Sequence, residues 1–146
     1  MIRSLLVDDF EPWRRFLCSM VQKTPELEII CEVSDGLAAV QKAKELKPDL
    51  IFLDIGLPKL NGIAAARQIC QTAPKSRILF VTQESDADVV REALRFGVGF
   101  LAKADAYEEL LPAIRAVTLG GQPFTSRLAS PTFSEDSDAL KFARSL

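Results

Sequence analysis

Leu50-Ile51-Phe52-Leu53-Asp54 sets four apolar residues against a carboxylate, and Gly56, Pro58, Asn61 and Gly62 follow at once. An apolar run without alternation reads as a strand covered on both faces, as in the middle of a parallel sheet. The turn formers behind it end the strand there. Asp54 then lies at the carboxyl edge of the sheet, where open α/β sheets place their ligands and chemistry.

Outward from this strand, helical and extended patterns alternate. Residues 4–7 form a short apolar strand that runs into Asp8-Asp9. Pro12 suits the first turn of a helix, and Trp13, Phe16, Leu17, Met20 and Val21 fall on one helical face. Residues 27–33 alternate, with Glu28 and Glu32 on one side and Ile30 out of phase, which predicts a half-exposed edge strand. Ser34-Asp35-Gly36 opens a second helix that ends before Pro48, and Ile63, Ala66, Ile69 and Cys70 mark a third. Residues 77–81 read as a fourth strand ending at Thr82, followed by a helix capped from Ser85-Asp86 and a left-handed Gly97 at its end. Residues 99–102 form a fifth strand ending at Lys103. A fifth helix follows, with a capping box from Asp105 to Glu108, a stripe of Tyr107, Leu110, Leu111, Ile114 and Val117, and Pro112 inside it. The result is an α/β, doubly wound, five-stranded parallel sheet of flavodoxin-like order 2-1-3-4-5 with helices on both faces.

The chain of 146 residues suffices for one substantial domain, taken as residues 1–121. Residues 122–146 are rich in Ser, Pro and acids and read as a linker or tail, with a short helix possible over 139–146. The net charge of −2 and the lack of a basic stripe argue against direct nucleic-acid binding by this chain. No apolar run reaches a membrane span and the first residues are no signal peptide, so we expect a cytoplasmic protein. Cys18, Cys31 and Cys70 are odd in number and scattered, and read as buried reduced thiols. The absence of histidine excludes Ser-His-Asp triads, histidine metal sites and a phosphohistidine role. Any metal must take oxygen ligands, which favours a hard cation such as Mg²⁺.

Asp8 and Asp9 end strand one, Asp54 strand three, Thr82 strand four and Lys103 strand five, so one parallel sheet brings them all to one edge. Singly each is ordinary: a helix cap, a loop carboxylate, a strand-ending threonine, a solvated lysine. Together they form a constellation. Crowded carboxylates raise one another's pKa unless a cation sits among them. A divalent cation and Lys103 on either side of an ionised Asp54 would neutralise a transferring phosphoryl group, with the Thr82 hydroxyl donating to a further oxygen. Attack by Asp54 would give an aspartyl phosphate.

Asp8-Asp9, Asp54, Pro58, Gly62, Thr82 and Lys103, at these spacings, resemble the receiver domain of bacterial two-component response regulators over residues 2–121. The stretch 110–128 resembles the LuxR-type branch. The resemblance implies Mg²⁺ (or Mn²⁺) held by Asp9, Asp54 and the Gly56 backbone carbonyl, with Asp8 acting mostly through water. It implies phosphorylation of Asp54 by a sensor histidine kinase, and no enzymatic activity beyond the chain's own phosphorylation and dephosphorylation. It also implies a switch pair, Thr82 and Phe100, that alters the helix 4–strand 5–helix 5 surface, with homodimerisation on phosphorylation as one outcome. The LuxR-type resemblance implies a longer parent in which a DNA-binding domain follows. Departures are Gln83, where the family has a small residue, and Ala104, where many members have proline. Gly56 and Glu84 occupy positions that, in the family it resembles, tune phosphate lifetime.

Three other readings compete. A dehalogenase-type phosphatase needs an acid two residues after the nucleophile, where Gly56 stands. A flavodoxin-like nucleotide binder needs a phosphate loop where Asp8-Asp9 stands. A receiver-fold binding module that acts without phosphorylation is the alternative that Gln83 keeps open.

Overall fold

The computed structural model describes residues 1–84, 86–119 and 123–129. The apolar runs become strands β1 Ile2–Val7, β2 Leu27–Val33, β3 Leu50–Leu53, β4 Arg77–Thr82, β5 Gly99–Ala102 and β6 Phe124–Thr125. Between them lie helices α1 Glu11–Val21, α2 Gly36–Leu46, α3 Gly62–Thr72, α4 Ala87–Ala93 and α5 Ala106–Thr118. The sheet runs β2-β1-β3-β4-β5-β6, with every neighbouring pair parallel. The expected order 2-1-3-4-5 is present, with a short sixth strand added from the stretch read as linker. That strand is held by pairing of Phe124 with Gly99, and a buried Ser126 follows it.

Burial on both faces explains the unbroken apolar strands. One face of the sheet (Leu5, Val7, Ile51, Leu53, Phe80, Phe100) packs against α2, α3 and α4 through Ala39, Ala43, Ala66, Ile69 and Val90. The other (Leu6, Phe52, Leu79, Leu101) packs against α1 and α5 through Leu17, Leu110, Ile114 and Val117. Each fully buried large side chain contributes about 2–3 kcal/mol of transfer free energy. β2 is indeed the edge strand, and its register with β1 slips between Ser4↔Ile29 and Leu5↔Cys31. Ile30 is the extra residue of that bulge, which is why it breaks the alternation.

Local details differ from the sequence reading. Gly97 does not adopt a left-handed conformation. It is glycine because a Cβ would press into the Phe80 ring, only 2.7 Å away. Asp105 forms no capping box: it ends a 3-10 turn, Lys103–Asp105, and its carboxylate accepts the Leu128 N–H at 2.8 Å. Tyr107 points to solvent, and the buried stripe of α5 is Ala106, Leu110, Ala113, Ile114 and Val117. α5 continues through Pro112. The three cysteines are free but only half-buried, because they lie at the margins of the core. Asp86 caps α4 as expected, whereas Ser85, Gly120-Gly121 and the helix anticipated over 139–146 lie outside the described residues. No helix among the described residues is long and apolar enough to cross a membrane.

Candidate functional site

Strand register assembles the site. Val7 pairs with Leu53, and the Asp54 N–H donates to the Val7 carbonyl at 3.1 Å, so the residues after these two strands emerge side by side. Thr82 pairs with Ala102, which delivers Lys103 to the same edge. The loop behind Asp54 is fixed by two glycines. A Cβ on Gly62 would overlap the Asp54 carbonyl oxygen, and one on Gly36 would overlap the Leu60 carbonyl. Their N–H groups donate to Ile55 O (2.7 Å) and Pro58 O (3.2 Å). Backbone thus packs directly on backbone, which only glycine permits.

Carboxylate oxygens of Asp8, Asp9 and Asp54 all lie within 4.8 Å of one another. The Lys103 ammonium stands 2.8 Å from Asp8 Oδ2 and 3.6 Å from Asp54 Oδ2, with its side chain only 12% exposed. Asp8 Oδ1 accepts the Phe10 N–H at 2.9 Å, and Asp54 Oδ1 accepts the Ile55 N–H at 2.8 Å. Burial pushes the Asp8 carboxyl above its ordinary value, and the Asp54 charge adds to this. Lys103 and the Phe10 N–H act in the opposite direction. Asp9 is exposed and faces an open cleft of about 390 Å³ that Asp54, Gly56, Thr82 and Lys103 also line. Gln83 and Glu84 stand at its side. Thr82 is buried, and its Oγ1 accepts the Glu84 N–H at 3.4 Å. Phe100 lies one layer below, fully buried, its ring 6.2 Å from that of Phe80.

Three carboxylates against one ammonium leave an excess of negative charge in a pocket of oxygen donors. That donor set suits a hard divalent cation, and no histidine or thiolate competes for the position. Gly56 is not demanded by packing, since a Cβ there would meet nothing within 4 Å.

Every residue singled out in the sequence at a strand end reaches this edge. Sequence reasoning missed four supporting residues. Trp13, read as helix-packing core next to the acidic edge with no binding role, lies under the Lys103 ammonium, 5.0 Å from ring centroid to nitrogen. Arg14 donates to the Asp8 carbonyl at 2.6 Å and pairs with Glu32 at 3.2 Å. Gly36 was read only as a helix start. Ser126 Oγ accepts the Ala102 N–H at 2.9 Å from within supposed linker. Because α1 begins at the carboxyl edge, its first turns border the site, a signal that placed Trp13 near the edge and could have found Arg14. Nothing in the composition around Ser126 distinguishes it.

Comparison with known proteins agrees with this geometry. The model of the response regulator receiver domain matches residues 4–115. The transcriptional regulatory protein LiaR of Bacillus subtilis (strain 168) is 36% identical over 135 residues, covering 92% of this chain and 64% of its own length. A two-component response regulator of the LuxR family from Aurantimonas sp. SI85-9A1 superposes with a TM-score of 0.86 at 28% identity, covering 94% of this chain and 98% of that one. The response regulator domain of Thermotoga maritima CheB gives 0.75 at 36% identity, covering 82% and 97%. The chain spans between half and two thirds of the length of the curated transcriptional regulators it matches.

Proposed function

Since the chain belongs to the response regulator receiver domain family, we propose that it is a signalling receiver that takes a phosphoryl group onto Asp54 in a Mg²⁺-dependent reaction. The observation that carries this reading is Lys103, half-buried beside Asp8 and Asp54 at a cleft that Asp9, Asp54 and Thr82 also line. An Asp54 oxygen attacks phosphorus, an O–P bond forms, and the bond from phosphorus to the donor breaks, with its electron pair leaving on the donor. The Ile55 N–H holds the other carboxylate oxygen in place. Lys103, within reach of Asp54, neutralises one phosphoryl oxygen, and the Thr82 hydroxyl, freed from the Glu84 N–H, donates to another. Asp8, Asp9, Asp54 and the Gly56 carbonyl are the groups that would hold Mg²⁺ or Mn²⁺, which when bound neutralises charge on the phosphoryl oxygens.

The donor is a sensor histidine kinase, or a small acyl phosphate. The chain turns over no external substrate; it acts on its own Asp54. Movement of Thr82 toward the phosphoryl group alters its packing above Phe100 and biases the surface of α4, β5 and α5, a local charge event acting on a two-state element. Homodimerisation through that surface is the consequence we propose. As the curated transcriptional regulators that the chain matches are about half as long again, a DNA-binding domain beyond this chain and a cytoplasmic setting complete the reading.

A second reading, a binding module that is never phosphorylated, draws on Gln83 beside the cleft. Intact mass after incubation with a small acyl phosphate and Mg²⁺ separates the two. The receiver reading requires one phosphoryl-sized gain in the native protein and none in Asp54→Asn or without metal. No gain, from the small donor or from a panel of histidine kinases, would favour the binding module.

A further inference from the structure

We propose that Trp13 is a positioning residue for Lys103: its indole face holds the ammonium where it can reach a phosphoryl group on Asp54. The proposal rests on the phosphoacceptor reading and adds to it a residue from α1.

The ammonium has three partners: the carboxylates of Asp8 and Asp54, at 2.8 and 3.6 Å, and the Trp13 ring, at 5.0 Å from its centroid. A cation over an indole face is attracted by the ring quadrupole, more strongly when water is kept away. Here the Lys103 side chain is 12% exposed, which meets that condition. The indole is itself anchored, with its ring 5.1 Å from that of Phe16 and its body against the core formed by α1 and α5.

Lysine needs such a support. Its four-carbon stem carries several rotatable bonds, and its ammonium is a strongly hydrated point charge. Lys103 begins a 3-10 turn just past the end of β5, so the strand fixes its backbone but not its tip. Asp8 is the closer carboxylate, and its pull alone would draw the ammonium away from the acceptor. The ring offers a further attraction and excludes water from the part of the ammonium it covers. Removing it would lead Lys103 to sample more rotamers, hydrate, and neutralise the phosphoryl oxygens less well.

The test uses two readouts on the whole chain. The first is the NMR shift of the Lys103 Cε protons. In the native protein, stacking moves them upfield of free lysine, and the displacement disappears in Trp13→Leu and in Trp13→Met. The second is the rate of phosphoryl gain on Asp54 from a small acyl phosphate with Mg²⁺. We expect it to fall about three- to tenfold in Trp13→Leu and less than about twofold in Trp13→Phe, which keeps an aromatic face. A purely structural role would instead make the rates of all variants follow their unfolding midpoints. Unshifted Lys103 protons in the native protein, or equal rates in Trp13→Leu and Trp13→Phe, would overturn the proposal. Should the native protein take no phosphoryl group at all, the phosphoacceptor reading falls, and the Lys103 shift alone decides whether Trp13 positions it.

Discussion

The two edges of the sheet carry similar residues and use them differently. At the amino edge, Arg3 donates from its backbone to Asp49 (2.9 Å) and from its guanidinium to the carbonyls of Leu46 (2.9 Å) and Lys47 (3.2 Å) at the end of α2. Arg77 donates to the Val117 carbonyl near the end of α5 at 2.9 Å, and Lys47 reaches Thr72 at the end of α3 at 3.4 Å. Cations there meet the negative ends of helices and the carbonyls that helices leave unpaired. The charges of Arg3, Lys47 and Arg77 are thus consumed by the fold. At the carboxyl edge, by contrast, three carboxylates crowd together, one ammonium serves two of them, and Asp9 has no hydrogen-bond or ion-pair partner among the described residues. Charge left over after folding is what makes that edge the candidate functional site.

Gly62→Ala is expected to have the largest effect on this comparison. Its Cβ would push against the Asp54 carbonyl, so it should cost about 3 kcal/mol in denaturant unfolding and weaken any response to Mg²⁺ as well. Asp9→Asn should leave the fold intact but weaken Mg²⁺ binding, followed as the metal-induced rise in unfolding midpoint. A unit charge beside a divalent ion is worth about 2 kcal/mol even at the dielectric of water, or roughly thirtyfold in affinity. Arg77→Ala should do the reverse, costing about 1.5 kcal/mol through the stranded Val117 carbonyl while the Mg²⁺ response stays as in the native protein. An Arg77→Ala protein that lost its metal response would erase the distinction between the edges. Smallest is Ser126→Ala, which strands the buried Ala102 N–H and should cost about 1 kcal/mol with no change in metal response. That outcome would sharpen the comparison, since it places a structural polar group beside the functional ones.

How much of this was legible in the sequence depended on how local the cause was. The strand at residues 50–53, the edge character of β2 and the gathering of Asp8, Asp9, Asp54, Thr82 and Lys103 all follow from hydrophobic pattern plus parallel topology. The features that escaped depend on contacts between distant segments. Ile30 interrupts an alternation because of a bulge against β1. Gly97 looked like a helix terminator, but the Phe80 ring from another strand requires it. Asp105 had the spacing of a cap, yet Leu128 takes its carboxylate. β6 is two residues long and gains its place only by pairing with an existing edge, so no periodicity could announce it. Trp13 lay on the apolar face of α1 as read, but its outer position on that face puts it over Lys103 as well.

On the proposed function, Asp54 is the group on which the surplus charge of the carboxyl edge acts. Borohydride reduction of the acyl phosphate-treated protein, followed by peptide mapping, tests it most directly, because an aspartyl phosphate is reduced to homoserine at the modified position alone. Homoserine is expected at residue 54, dependent on Mg²⁺, and at no other carboxylate. Homoserine at residue 8 or 9, or at residue 54 with equal yield in the absence of metal, would contradict it.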